Sequence, residues 1–197
     1  KKRCLLWSCP CSFVKTLATV TPKGMDRIQL YSSGAEAVEA AVRLAKSRTK
    51  KYEVIGFWGG FHGKTGGILP VLGDSFKHEL GPLMPGLYLS PFPNQDHCPF
   101  GTKSEHDCAA HCLDFLRELI KRSTAGALAA VICEPIQGTA GNVIPARGWF
   151  QGLRALTKEL GALLKSDEMI TGFGRTGRMW GCDHEETVPD IMTVGKG

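Results

Sequence analysis

The sequence predicts an α/β fold: a mainly parallel sheet with helices on both faces. Three observations carry this. Short apolar runs of β type alternate with longer segments whose apolar residues recur at helical spacing, the pattern of βαβ units. Four runs, in IQLYSSGAEA, AVICEPIQG, GALLKSDEMITGFGRTG and IMTVGKG, end on a polar residue or glycine where a strand would give way to a loop. The chain's 197 residues, 43% hydrophobic and 22% charged, supply one sizeable core beneath an ordinary surface.

The first 24 residues, opening KKRCLLWSCPCSF, read as an irregular basic segment that lacks the apolar region and cleavage site of a signal peptide. IQLYS reads as the first strand. AEAVEAAVRLAKSRTKK is the helix after it, with basic residues toward its end, where the helix dipole favours them. YEVIGF is the next strand, and the glycine-rich WGGFHGKTGG is a loop whose backbone closely approaches another group. Pro and Gly mark 81–103 as an exposed connection containing LYLSP as a short strand. An amphipathic helix follows over 105–122, then the buried strand ALAAVIC, the helix WFQGLRALTKEL and the strand GALLKS. GRMWGC reads as a strand of opposite direction, and IMTVG closes the series. The chain starts without Met and stops just after a strand-like run, so it is expected to be part of a longer protein.

A net charge of +5, spread without a Lys/Arg block, gives no reason to expect nucleic acid as a partner; small anionic ligands suit it better. No apolar run approaches the roughly 20 residues that span a bilayer, so no membrane is expected and the protein is read as cytoplasmic. The eight cysteines are then expected to be free thiols.

Chemistry is expected at the strand ends, where open α/β sheets bind ligands. Asp167 and Lys196 fall at the ends of two neighbouring runs, and an acid and an amine gathered there suit a cofactor with a basic ring nitrogen and an aldehyde, pyridoxal 5'-phosphate. An ionised carboxylate at a buried edge needs a cation, which a protonated ring nitrogen supplies; Arg175 in GFGRTG is the alternative partner. Desolvation would make Lys196 a nucleophile, although strand-end lysines are usually solvated. Ser33, Gly34 and Ala35 lie at a strand-to-helix turn whose free N–H groups favour phosphate, or which is merely capped by Ser32 or Ser33. Phe61 and His62 are placed to stack on a planar ring, and Met169 to cover its other face; a core Phe with a loop His is the alternative for the first two, and a core Met explains Met169 equally well. Glu134 ends a strand nearby.

These motifs, SSGAEAVEAAVRLAK, FHGKTGG, EPIQGTAG, SDEMITGFGRTG and PDIMTVGKG, together resemble the class III pyridoxal-phosphate aminotransferases, the group of 4-aminobutyrate, ornithine and acetylornithine transaminases. The resemblance runs over 25–197 in the family's order. It implies fold type I, the aspartate aminotransferase-like fold, with 25–197 as an incomplete large domain and the small C-terminal domain absent. It also implies that Lys196 forms the Schiff base and shuttles the proton, and that Asp167 contacts the ring nitrogen. By the same resemblance Gly34 and Ala35 hold the phosphate, Phe61 stacks, Met169 covers the opposite face and Glu134 lies near cofactor and substrate. The implied activity is transfer of an amino group to a 2-oxoacid from an amino acid, an ω-amino acid such as 4-aminobutyrate, by a homodimer. Racemisation or decarboxylation on the same fold, or a silent truncated domain, are the alternatives.

Three departures stand out. Ile170 occupies a position where several relatives carry Gln, and Lys64 stands in HGKT where relatives carry an arginine that grips a carboxylate; an ammonium lacks that planar fork. Lys165 interrupts an apolar strand, where an unpaired lysine would cost stability. His97, Cys98, His106, Cys108, His111 and Cys112 lie close in sequence but not at a zinc spacing, so no metal is assigned.

Overall fold

The computed structural model describes residues 4–73 and 75–196. The chain divides into two compact units, Lys1–Tyr31 and Ser32–Gly197. The first holds a helix, α1 (Cys4–Val20), where an irregular segment was expected. Its run contains no glycine, and its one proline removes a single backbone donor. The helix ends at Thr21, whose hydroxyl donates to the Met25 carbonyl at 2.7 Å. IQLYS is not a strand: among the described residues of its own unit there is no strand to pair with, and Leu30 and Tyr31 are exposed.

The second unit begins with α2 (Gly34–Thr49). Its start is fixed by the Ser33 hydroxyl, which accepts the Glu36 N–H at 3.2 Å, and its end by Lys50 in the left-handed region at φ 59°. Then come β1 (Glu53–Phe57), β2 (Leu87–Ser90), α3 (Glu105–Ser123), β3 (Leu128–Cys133), α4 (Trp149–Leu160), β4 (Leu163–Glu168) and β5 (Ile191–Val194). The five strands form one sheet in the order β2-β1-β3-β4-β5, every pair parallel. The chain moves from β1 outward to β2, returns past it to β3 and continues outward on the other side. The direction therefore reverses between β1 and β3, the position where such sheets open a crevice at their carboxyl ends.

Alternation along β3 shows that both faces are covered. Ile132 packs with Val38 and Val42 of α2, with Val54 of β1, and with Ile68 and Val71. Its neighbour Cys133 points the other way and receives the Trp149 indole N–H at 3.4 Å. Trp149 in turn meets Phe57 edge-on, with ring centroids 5.1 Å apart. Residues of β1 and β3 are buried throughout, as strands between two helical layers must be.

GRMWGC is not a strand. Its Gly181 and Cys182 N–H groups donate to the Glu168 carboxylate at 2.8 and 2.9 Å, which removes them from any ladder and folds the segment into a 3-10 turn at Gly181–Glu185. Among the described residues no helix is long and apolar enough to cross a membrane.

Candidate active site

The loop after β1 folds back on itself: Gly60 N–H donates to Phe57 O at 3.0 Å, and Gly73 N–H donates to Gly60 O at 2.9 Å. This carries Phe61 and His62 over the carboxyl ends of β3 and β4. Glu134, directly after β3, accepts the Phe61 N–H at 2.8 Å and the Gly138 N–H at 3.4 Å, so one buried carboxylate ties the β1 loop to the β3 loop. Gln137 adds a second tie, donating to Trp58 O at 2.8 Å. Burial pushes the Glu134 carboxyl up; the charge on His62 and the Phe61 amide oppose that shift without cancelling it.

Asp167 lies inside β4, one residue before its end, and is buried. Four groups surround its carboxylate. His62 Nδ1 is 2.7 Å from Oδ2, and since an ionised carboxylate only accepts, that ring nitrogen carries the proton. Lys165 Nζ is 2.9 Å from the same oxygen. The Thr193 hydroxyl of β5 and the Met169 N–H donate to Oδ1 at 3.1 and 3.4 Å. Burial alone would raise the Asp167 pKa, but the Lys165 ammonium and the His62 bond outweigh it and hold the carboxyl well below its usual range. Burial lowers the pKa of Lys165, and the Asp167 charge opposes that most strongly.

Lys165 thus has the partner that the sequence reading did not find. Side chains two apart on a strand share a face, so a lysine at 165 and an acid at 167 were already legible as neighbours. Thr193 was missed for a different reason, since its place opposite Asp167 follows from the β4/β5 register. Arg175, weighed as the acid's alternative partner, is exposed and does not pair with it.

Met169 lies between two glycines. A Cβ at either Gly34 or Gly195 would come within 2.6 Å of its Cε, so the side chain bridges the start of α2 and the end of β5. Ser33, Gly34 and Ala35 form the first turn of α2; the Ser33 hydroxyl is spent on its own helix, while the Gly34 and Ala35 N–H groups make no hydrogen bond among the described residues. Gly63, at φ +108°, abuts Ala35 so closely that a Cβ there would sit 2.6 Å from the alanine methyl.

Phe61 is half-buried and meets Phe76 edge-on at 5.6 Å. The Lys64 ammonium sits 4.3 Å from the Phe76 ring centre, a cation–π contact. Ile170 packs against Gly138. Lys196 follows β5, exposed and in the left-handed region at φ 51°, a conformation that costs a non-glycine residue about 1–2 kcal/mol. The desolvation expected for it is not supplied by the described residues.

Cys108 and Cys112 lie buried on one face of α3, and Cys98 is half-buried. No three His, Cys, Asp or Glu groups converge to hold a metal among the described residues. The structure therefore gathers Phe61, His62, Glu134, Asp167 and Met169 with the start of α2 at one sheet edge. Lys196 stands on that edge without a hydrogen bond or ion pair among the described residues.

The family described as Aminotransferase class-III matches residues 6–197. An uncharacterized aminotransferase of Schizosaccharomyces pombe is 38% identical over 181 residues, 91% of this chain and 40% of that protein. A thermostable (S)-enantioselective omega-transaminase from Thermomicrobium roseum superposes with a TM-score of 0.88 at 32% identity, covering 95% of this chain and 43% of that one. An amine transaminase from an uncultivated Pseudomonas species, solved in its PLP-bound form, gives 0.80 at 32% identity over 85% of this chain and 39% of that one. The PMP-bound aminotransferase from Vibrio fluvialis gives 0.83 at 28% identity, covering 93% and 42%. The chain spans about two fifths of the length of these relatives.

Proposed function

The chain belongs to the class III aminotransferase family, and from that premise we propose that it forms the cofactor-binding part of a transaminase that uses pyridoxal 5'-phosphate. The fold is the fold type I parallel sheet of its structural neighbours. The observation that carries the proposal is the buried Asp167 carboxylate, fixed by His62 at the sheet edge that also bears Glu134, the start of α2 and Lys196.

The residues present fit the cofactor in kind. Unbonded N–H groups at Gly34 and Ala35, aided by the α2 dipole, suit a phosphate. Phe61 and Met169 offer two apolar surfaces to a planar ring, Asp167 offers an anion to its nitrogen, and Lys196 offers an amine. When bound, the cofactor supplies an aldehyde that condenses with amines and a ring that draws electrons from the amine-bearing carbon.

The chain's own groups then divide the work. Backbone N–H groups at Ser33, Gly34 and Ala35 bind the phosphate. Phe61 and Met169 exclude water from the two ring faces. His62 holds Asp167 at one angle, and Lys196 holds a proton on Nζ and delivers it to the reacting carbons. Glu134, tied to both loops, stands at the substrate side and selects between two amino substrates.

The substrates on this reading are an amino donor, an ω-amino acid such as 4-aminobutyrate, and a 2-oxoacid acceptor; the likeness to an omega-transaminase supports the donor class. The active form is a homodimer. Lys64 is engaged with Phe76, so it is not assigned to the substrate carboxylate.

The test takes the full-length protein with pyridoxal phosphate, 4-aminobutyrate and a 2-oxoacid. Expected are a visible absorbance band lost in Lys196→Ala and one amino product per acceptor consumed. Epimerisation or decarboxylation of labelled donor without acceptor would replace transamination, and absence of the band with added cofactor would overturn the cofactor assignment.

A further inference from the structure

Lys165 approaches the carboxylate assigned to the cofactor ring from inside the sheet. It pairs in register with Ile132, on the face that α2 covers with Val38 and Val42. From that apolar layer its Nζ comes within 2.9 Å of Asp167 Oδ2, and both side chains are 1% exposed. No aligned hydrogen bond holds the nitrogen among the described residues, so the charge of Asp167 is what retains an ammonium there. Burial weakens the hold of Nζ on its proton, and the Asp167 charge is the largest opposing influence. The chain thus carries its own cation at the place where the protonated ring nitrogen is to bind.

We propose that Lys165 is the counter-ion of Asp167 while no cofactor is bound, and that Nζ gives up its proton when the protonated ring nitrogen takes that role. The inference rests on the cofactor assignment made above and keeps Asp167 as the anion for the ring. One carboxylate in a dry layer balances one cation, and a second beside it is disfavoured by desolvation and by like charge. Lys165 is the cation that can yield, because a buried amine sheds its proton readily and stays in place as a neutral donor. The balance is one proton: an ammonium and a protonated ring meet, a neutral amine and a protonated ring remain, and one proton passes to solvent. The other groups facing Nζ do not absorb the second charge. His62, from the loop after β1, already donates Nδ1–H to Oδ2. Glu134, after β3, is committed to the Phe61 and Gly138 amides, and burial favours its neutral form. Glu168, on β4, accepts from Ser166, Thr171, Gly181 and Cys182. From β5 comes the Thr193 hydroxyl, which donates to Oδ1, and α2 presents Val38 and Val42 while its Glu39 is bonded to Thr65 and Gly67. The sign follows: affinity for the cofactor rises with pH until Lys165 is neutral in the free protein as well.

The probe is 4-deoxypyridoxine phosphate, which lacks the aldehyde and so leaves Lys196 out of the proton count; its ring nitrogen is protonated in neutral water. Calorimetric titration of the cofactor-free full-length protein, in buffers of differing ionisation heat, counts the protons released on binding. Wild type is expected to release about one proton more than Lys165→Met, and its affinity to rise about tenfold more per pH unit near neutrality. Lys165→Met, with no charge to displace, should bind at least about tenfold more tightly at neutral pH. Lys165→Arg, whose guanidinium keeps its proton, should lose the release and bind at least about tenfold more weakly than wild type. Equal proton counts in wild type and Lys165→Met overturn the proposal. So does a wild-type affinity that is flat between about pH 7 and 8.5, whether or not the variants fold. The same probe labelled with 15N at the ring should show a protonated nitrogen in the wild-type complex; an unprotonated one traces the lost proton to the ring and overturns the proposal. Wild type that binds neither the probe nor pyridoxal phosphate overturns the cofactor assignment, and the proposal with it.

Discussion

At the scale of single residues, Lys165, Asp167 and His62 form a buried cluster, where removing one charged partner costs far more than at an exposed pair. Asp167→Asn removes the anion and leaves the Lys165 ammonium buried without its counter-ion, which is expected to cost about 3–5 kcal/mol at neutral pH in urea denaturation of the full-length protein. The double variant Lys165→Met, Asp167→Asn should recover at least about half of that, because it buries neither charge. The pH dependence has a definite sign. Lys165 and His62 together overcome the burial penalty and hold the folded-state pKa of Asp167 below its unfolded value of about 3.9. Its contribution is therefore complete above that value and lost as pH falls through the folded one. The gap between wild type and Asp167→Asn should stay constant from neutral pH down to about 5 and close only in strong acid. A gap that closed near neutrality would show that another group, not Asp167, carries the cluster.

At the scale of elements, two contacts decide whether the site keeps its shape. Gly63 combines a φ of +108° with a Cβ direction blocked by Ala35, so Gly63→Ala forces the β1 loop away from the first turn of α2. It should cost about 2 kcal/mol, whereas Gly66→Ala, with open space around it, should be close to neutral in the same denaturation assay. Glu168 is the second contact. Its buried carboxylate gathers Ser166, Thr171, Gly181 and Cys182, and Glu168→Ala leaves those donors unpaired. A loss of about 3 kcal/mol and new protease cleavage within 173–182 are expected; an unchanged cleavage pattern would show that the segment is held by other means.

Glu168 also explains what the sequence could and could not reveal. Among the described residues, periodicity found α2, α3, α4 and the five strands, because the helices carry apolar stripes and the strands short apolar runs that their own residues encode. It misread GRMWGC, whose Gly181 is held by a carboxylate 13 residues earlier, and IQLYS, whose apolar residues have no partner strand among the described residues of their unit. The candidate site follows the same division. Phe61, Glu134, Asp167 and Met169 were legible from strand ends and motifs. The His62–Asp167 bond spans 105 residues of sequence, and Thr193 meets Asp167 only through the order of β4 and β5, so neither could be read locally.

At the scale of the whole molecule, the proposed cofactor site draws on the loop after β1, the loop after β3, β4, the start of α2 and the end of β5. These elements lie on both sides of the point where the sheet reverses direction. A ligand held by all of them binds only when they are assembled, so its binding free energy adds to the stability of the entire sheet rather than to one loop. At a pyridoxal phosphate concentration 100 times its dissociation constant the gain is about 2.7 kcal/mol, enough to raise the melting temperature of the full-length protein by several degrees. Inorganic phosphate, which on the proposed assignment would engage only the α2 turn, should raise it far less at the same concentration. Gly63→Ala, which pries that turn from the β1 loop, should shrink the cofactor's effect more than Gly66→Ala does. Equal shifts from phosphate and from the cofactor would mean that only the helix turn is occupied, and that Asp167, Phe61 and Lys196 do not form one site.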